Sequence, residues 1–200
     1  MKKPMKSLLG LIVLGVVTAS GLWAWSYYVG LPRNFGEVAP GRLYRSGQGS
    51  EPQLRHAIER YHLKSIICLR KVQGDGDPRW FRQEKDLARR MGVNFIYQPM
   101  TADTLGDEKV WIKLLEIAQD PASGPVLVHC AQGELRTGFF CALYRQIIDG
   151  WSWEKAIAEM ERFGYDLKSH QTAVALLKQI DIQGARAALQ KACSQPAKQP

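Results

Sequence analysis

Hydrophobic and polar positions fall into two regimes along the chain. The first is a run with no charged side chain from Ser7 to Val29. Leu8, Leu9, Leu11 to Leu14, Val16 and Val17 crowd together, and apolar character continues through Trp23, Trp25, Tyr27 and Tyr28. A helix over this run is apolar on every side and can cross ~30 Å of hydrocarbon. Residues 1–30 are therefore expected to form a signal anchor or single-pass transmembrane helix. Lys2, Lys3 and Lys6 favour an inside N-terminus, and the Trp/Tyr cluster resembles an interfacial belt. That orientation places everything after Val29 on the outer, periplasmic or extracytoplasmic face. The competing expectation is a secreted protein cut after Ala19, because Val17-Thr18-Ala19 weakly resembles a cleavage site.

The second regime alternates short apolar runs with amphipathic stretches. Spacing predicts helices over 51–61 (Leu54, Ala57, Ile58 and Tyr61 on one face), 79–91 (closed by Gly92), 107–118, 137–148, 153–163 and 169–180. It predicts strands over 65–69, 94–97 and 125–128. Alternating strands and helices imply an α/β fold with a central, largely parallel sheet flanked by helices on both faces. Residues 31–185 read as one domain and 186–200 as a disordered tail.

Composition narrows this picture. Beyond the apolar segment about 170 residues remain, enough for one substantial core. A net charge of +8 suits an enzyme that meets anionic substrates or lies against an anionic membrane. No aromatic strip interleaves with basic residues, so nucleic acid is not an expected partner. The four cysteines form no disulfide pattern: Cys68 and Cys141 read as small core residues and Cys193 as exposed. The four histidines have no paired spacing, so no metal site and no cofactor is expected.

The chemistry concentrates in His129-Cys130-Ala131-Gln132-Gly133-Glu134-Leu135-Arg136-Thr137-Gly138. This loop joins an apolar strand to an apolar helix, where unpaired amides and the positive end of the helix dipole attract anions and stabilise a thiolate. Cys130 is the candidate nucleophile. Arg136 offers a planar fork for two phosphoryl oxygens. Gly133 allows the turn that points successive amides inward. Thr137 can set a hydroxyl near the sulfur, and His129 is expected to orient the loop. The substrate cradle is thus His129 to Thr137.

These residues resemble the signature loop of the cysteine-dependent protein tyrosine and dual-specificity phosphatases. Arg42-Leu43-Tyr44-Arg45-Ser46-Gly47-Gln48 is similar to the opening strand of compact dual-specificity members, and Ser65-Ile66-Ile67-Cys68-Leu69-Arg70 to their second strand. The resemblance covers residues 35–166. It implies a dual-specificity-phosphatase-like fold and a metal-free mechanism through a phosphocysteine on Cys130, with Arg136 and the amides of residues 131–136 holding the transferred group. It also implies an aspartate general acid on a separate loop. Residues 98–107 follow a predicted strand and supply Asp103 as the choice and Asp107 as runner-up, the latter suited to capping the next helix. Glu134 departs from relatives that carry lysine there and act on inositol phosphates. A carboxylate at the rim repels a second phosphate, unless it pairs with a neighbouring cation.

The expected substrate is a phosphorylated protein or a small or lipid-linked phosphomonoester. The alternatives are a lipid phosphate phosphatase, a rhodanese-like or arsenate-reducing loop-cysteine enzyme, and a catalytically dead phosphate-binding module.

Overall fold

The computed structural model describes residues 4–74, 76–169 and 171–194, without the side chains of residues 4–9, 26–29, 102 and 103. Five strands form one sheet: β1 (Gly36–Ala39), β2 (Leu43–Ser46), β3 (Ser65–Cys68), β4 (Asn94–Tyr97) and β5 (Val126–His129), in the order β1-β2-β5-β3-β4. Only the β1–β2 pairing is antiparallel; β2, β5, β3 and β4 run parallel. The expected central, largely parallel sheet is therefore present. In register, Ser46 and Cys68 both lie opposite His129. The carboxyl ends of three neighbouring strands thus meet at one point, where open α/β sheets bind ligands.

The helices are α1 (Pro4–Val29), α2 (Glu51–Tyr61), α3 (Arg79–Arg90), α4 (Ala102–Leu105), α5 (Glu108–Gln119), α6 (Leu135–Ile147), α7 (Trp153–Arg162), α8 (Gln171–Gln179) and α9 (Ile182–Ser194). Side chains alternating along the strands feed two cores. Ile67, Val126 and Val128 pack against α5 to α9, whereas Ile66 and Leu127 pack against α2 and α3. Burial on both faces explains why these strands read as unbroken apolar runs. Helix α6 is buried almost all round, from Thr137 to Tyr144, because the sheet covers one side and α7, α8 and α9 the other.

Four differences from the sequence reading stand out. Strand β1 is an edge strand of sequence Gly-Glu-Val-Ala, too short and mixed for a period of two to show. Helix α6 begins at Leu135, two residues earlier than the apolar pattern, because Leu135 and Arg136 form its first turn. The four-residue α4 lies inside the expected loop over 98–107. The tail expected to be disordered over 186–200 is instead helical as far as Ser194, with Ala185 and Leu189 buried against the main core; residues 195–200 lie outside the described residues.

Residues 1–30 contribute α1. Among the described residues, no helix is long and apolar enough to cross a membrane. Side chains on α1 are described only over residues 10–25, roughly 24 Å of helix at 1.5 Å per residue against the ~30 Å of a bilayer core. The expected span is therefore not found. Leu11, Val16, Val17, Leu22 and Trp25 on this helix are exposed.

Candidate active site

Cys130 follows directly on β5 and is buried. Four successive carbonyls shape the loop after it, three of them accepting donors from other segments of the chain. Cys130 O lies 3.3 Å from His129 Nδ1. Ala131 O accepts the Gln48 amide at 3.0 Å, Gln132 O accepts Asn34 Nδ2 at 2.9 Å, and Gly133 O accepts Arg45 Nη2 at 2.6 Å. With the carbonyls turned outward, the amides are left to face the interior, and the Gly133 N–H points to Cys130 Sγ at 3.3 Å.

Glycine is required at two facing positions. Gly133 has φ +77°, and a Cβ there would sit 2.6 Å from Gly47 N and Ser46 C. A Cβ on Gly47 would meet Gln132 C and O at 2.8 Å. The end of β2 and the loop thus touch backbone to backbone. Glu134, at the N-cap of α6, provides no side-chain cap, whereas Ser50, Asp107 and Ser152 cap α2, α5 and α7. The first amides of α6 are left facing the loop.

Burial alone would raise the Cys130 thiol. The Thr137 hydroxyl and amide, the Gly133 amide and the Arg136 charge outweigh it and hold the thiol below its ordinary value. The thiolate is therefore present at lower pH than in a free cysteine. Arg136 reaches back to Leu69 O at 3.4 Å. That same carbonyl accepts the Met100 amide at 3.1 Å, and the Leu69 amide binds His129 O at 2.8 Å. One residue after β3 thereby ties the nucleophile loop to the loop of the candidate acid.

A cavity of about 130 Å³ opens on Cys130, Ala131, Gln132, Glu134, Leu135 and Arg136, walled by Gly164, Tyr165 and Asp166. These residues of the expected cradle come together. His129 and Thr137 are fully buried beneath the cavity and do not line it. Glu134 pairs with Arg33 at 2.5 Å, the neutralising contact that offsets its repulsion of anions. A second cavity of about 340 Å³ adjoins through Arg136 and Ala131 and is lined by Arg70, Lys71, Gln73, Pro78 and Trp80.

The candidate acids separate. Asp107 caps α5, its carboxylate accepting the Lys109 amide at 3.0 Å. Asp103 lies in the first turn of α4, and its side chain lies outside the described residues. Its neighbours Met100, Thr101 and Leu105 share a cavity wall with Leu135 and Arg136, so this loop does border the cradle.

Sequence reasoning missed the loop's supports: Asn34, Arg45, Gln48 and Glu84, and the wall residues Tyr165 and Asp166. Arg45 is buried with its guanidinium 3.8 Å from the Phe163 ring centre, and among the described residues no carboxylate pairs with it. Cys68, Glu84 and His129 also come together, their ligand atoms within 4.8 Å of one another, contrary to the expectation that no such cluster forms. His129 Nε2 and Glu84 Oε1 are only 2.6 Å apart, an ion-pair distance, although neither atom has a well-aligned hydrogen-bond partner.

Comparison with known proteins agrees with this geometry. A family model described as "Tyrosine phosphatase family" matches residues 29–198. The chain is 30% identical over 167 residues to the dual specificity protein phosphatase TpbA of Pseudomonas aeruginosa, covering 83% of this chain and 71% of that protein. It is 29% identical over 143 residues to the inositol diphosphatase SIW14 of Saccharomyces cerevisiae, covering 67% of this chain and 46% of that one. The crystal structure of TpbA superimposes with a TM-score of 0.64 at 26% identity, covering 79% and 91% of the two chains. The core catalytic domain of SIW14 in complex with citrate gives a TM-score of 0.67 at 25% identity, covering 83% and 96%.

Proposed function

The chain belongs to the tyrosine phosphatase family and is a cysteine-based phosphatase, and we propose that it hydrolyses phosphotyrosine and related phosphomonoesters of proteins with Cys130 as nucleophile and Asp103 as general acid. The observation that carries this reading is the loop whose carbonyls are held by outside donors while the Gly133 and Thr137 amides, the Thr137 hydroxyl and the Arg136 charge act on the sulfur.

In the first step the Cys130 thiolate attacks phosphorus, the P–O bond to the leaving group breaks, and Asp103 gives its proton to the departing oxygen. Charge on the equatorial oxygens is met by the inward amides and the Arg136 fork, preorganised at low dielectric. In the second step Asp103 takes a proton from water, which attacks the phosphocysteine. The sulfur leaves as a thiolate, stabilised by the Thr137 hydroxyl. No metal enters either step.

A second substrate class is favoured by a specific feature. Arg70 and Lys71 join Arg136 around the adjoining cavity, and Arg33 offsets Glu134, so a small molecule with a second phosphate finds positive charge beside the first. The relative named as an inositol diphosphatase is consistent with such a substrate.

The uncharged run from Ser7 to Val29 and the exposed apolar side chains of α1 support a membrane anchor with the domain on the outer face. Cleavage after Ala19 is the competing outcome. Turnover of p-nitrophenyl phosphate in EDTA, lost in Cys130→Ser, tests the chemistry; undiminished turnover in that variant contradicts it. Ranking phosphotyrosine peptides against inositol pyrophosphates and lipid phosphates then decides the substrate.

A further inference from the structure

Behind the nucleophile lies a buried polar network that the two-step mechanism does not use. His129 and Glu84 are both almost wholly inaccessible, Glu84 reaching in from α3. One carboxylate oxygen lies 2.6 Å from His129 Nε2, and the other accepts Gln48 Nε2 at 2.6 Å. Gln48 in turn uses its backbone amide to hold Ala131 O at 3.0 Å. His129 Nδ1 faces Cys130 O at 3.3 Å. A peptide carbonyl can only accept, and an ionised carboxylate can only accept as well. With Glu84 ionised, the 2.6 Å contact is an ion pair that calls for a charged ring, although Nε2 and Oε1 are not aligned as a hydrogen bond.

We propose that Glu84 is a positioning residue for the nucleophile: its charge holds His129 as an imidazolium against Cys130 O and, through Gln48, it fixes Ala131 O outward. The buried ion pair sets the ring against the Cys130 backbone, 3.3 Å from its carbonyl, with the countercharge beside the other ring nitrogen. A neutral His129 leaves the buried carboxylate without its countercharge. The inference rests on Cys130 being the nucleophile.

Among the described residues, Arg70 joins this network through Gln48, its Nη1 donating to Gln48 Oε1 at 3.4 Å. Cys68 from β3 and Glu84 from α3 face His129; Thr137, Arg136 and Cys141, all on α6, surround Cys130 with the Gly133 amide. Burial alone drives His129 toward the neutral form, but Glu84 and Cys68 overcome it and hold the ring well above its ordinary value. Because the shift is upward, the stability this pair contributes is complete below the ordinary histidine range and is lost as pH rises through the raised value.

The test uses the full chain carrying Cys193→Ser, so that the exposed cysteine does not react with the probe. Nitrogen-15 NMR of the histidine rings reports protonation without reference to activity. The proposal predicts both His129 nitrogens protonated at about pH 7; a neutral ring there overturns it, even if Cys130 proves to be the nucleophile. In Glu84→Gln, iodoacetamide should alkylate Cys130 roughly tenfold more slowly at mildly acidic pH, and kcat for p-nitrophenyl phosphate should fall by a similar factor, with KM changed less than about threefold. Alkylation and kcat within about twofold of the parent in a folded Glu84→Gln also overturn it. Should that variant not fold, the ring protonation of the parent protein decides alone.

Discussion

At the level of single residues, the site depends on where atoms cannot be placed as much as on where they are. The φ of +77° at Gly133 and the 2.6 Å approach of the Ser46–Gly47 backbone leave no room for a methyl group. Gly133→Ala is expected to cost about 2 kcal/mol or more of stability and to lower kcat on the order of a hundredfold, because the shifted amides no longer face the phosphate; thermal melts and p-nitrophenyl phosphate kinetics check both. The exposed Arg33 acts on charge instead. Arg33→Ala unmasks Glu134 and should raise KM for anionic substrates by roughly twofold to fivefold at low salt, with kcat retained and the effect fading as salt rises. Adding Glu134→Gln should restore KM, and no recovery would show that the pair does not govern substrate charge. The sequence displays the cradle itself, since Cys130, Gly133 and Arg136 are local and their types are dictated by chemistry. It does not display Asn34, Arg45, Gln48 or Glu84, which arrive from segments tens of positions away and carry no pattern of their own.

At the level of elements, α6 provides the amides at its N-terminus, and its other end is fastened by α9. Arg186 donates to Ile147 O and Gln146 O, both at 2.9 Å, filling carbonyls that the helix leaves unpaired. Arg186→Ala should therefore cost about 1–2 kcal/mol, lowering the melting temperature by several degrees while KM stays put. Strands β3 to β5 are legible as short apolar runs, and helices α2, α3, α5 and α7 by a clean period or a cap such as Ser50 or Ser152. Helix α9 was not, because Ala185 and Leu189 are a sparse apolar stripe that only the neighbouring α5 and α6 turn into a buried face. The start of α6 was missed for a related reason: Leu135 and Arg136 serve the loop and the helix at once, so the apolar pattern appears two residues late.

At the scale of the whole molecule, the fold gathers Ser46, Cys68 and His129 at one edge of the sheet, then packs α5 to α9 behind the loop and α2 and α3 on the opposite face. Among the described residues, no side chain of α1 joins either core, although the helix contacts α2. A chain starting at residue 31 should thus keep its turnover of p-nitrophenyl phosphate within about twofold while losing the capacity of the full chain to sediment with anionic lipid vesicles. Sedimentation of the shortened chain as well would place the membrane contact on the basic surface of the domain.

The central claim is covalent and can be tested as such. Acid quenching of the enzyme during turnover, followed by mass spectrometry of the peptide containing residue 130, should find phosphate on the Cys130 sulfur, absent in Cys130→Ser. Steady hydrolysis with no phosphate on that sulfur at any quench time would contradict the account.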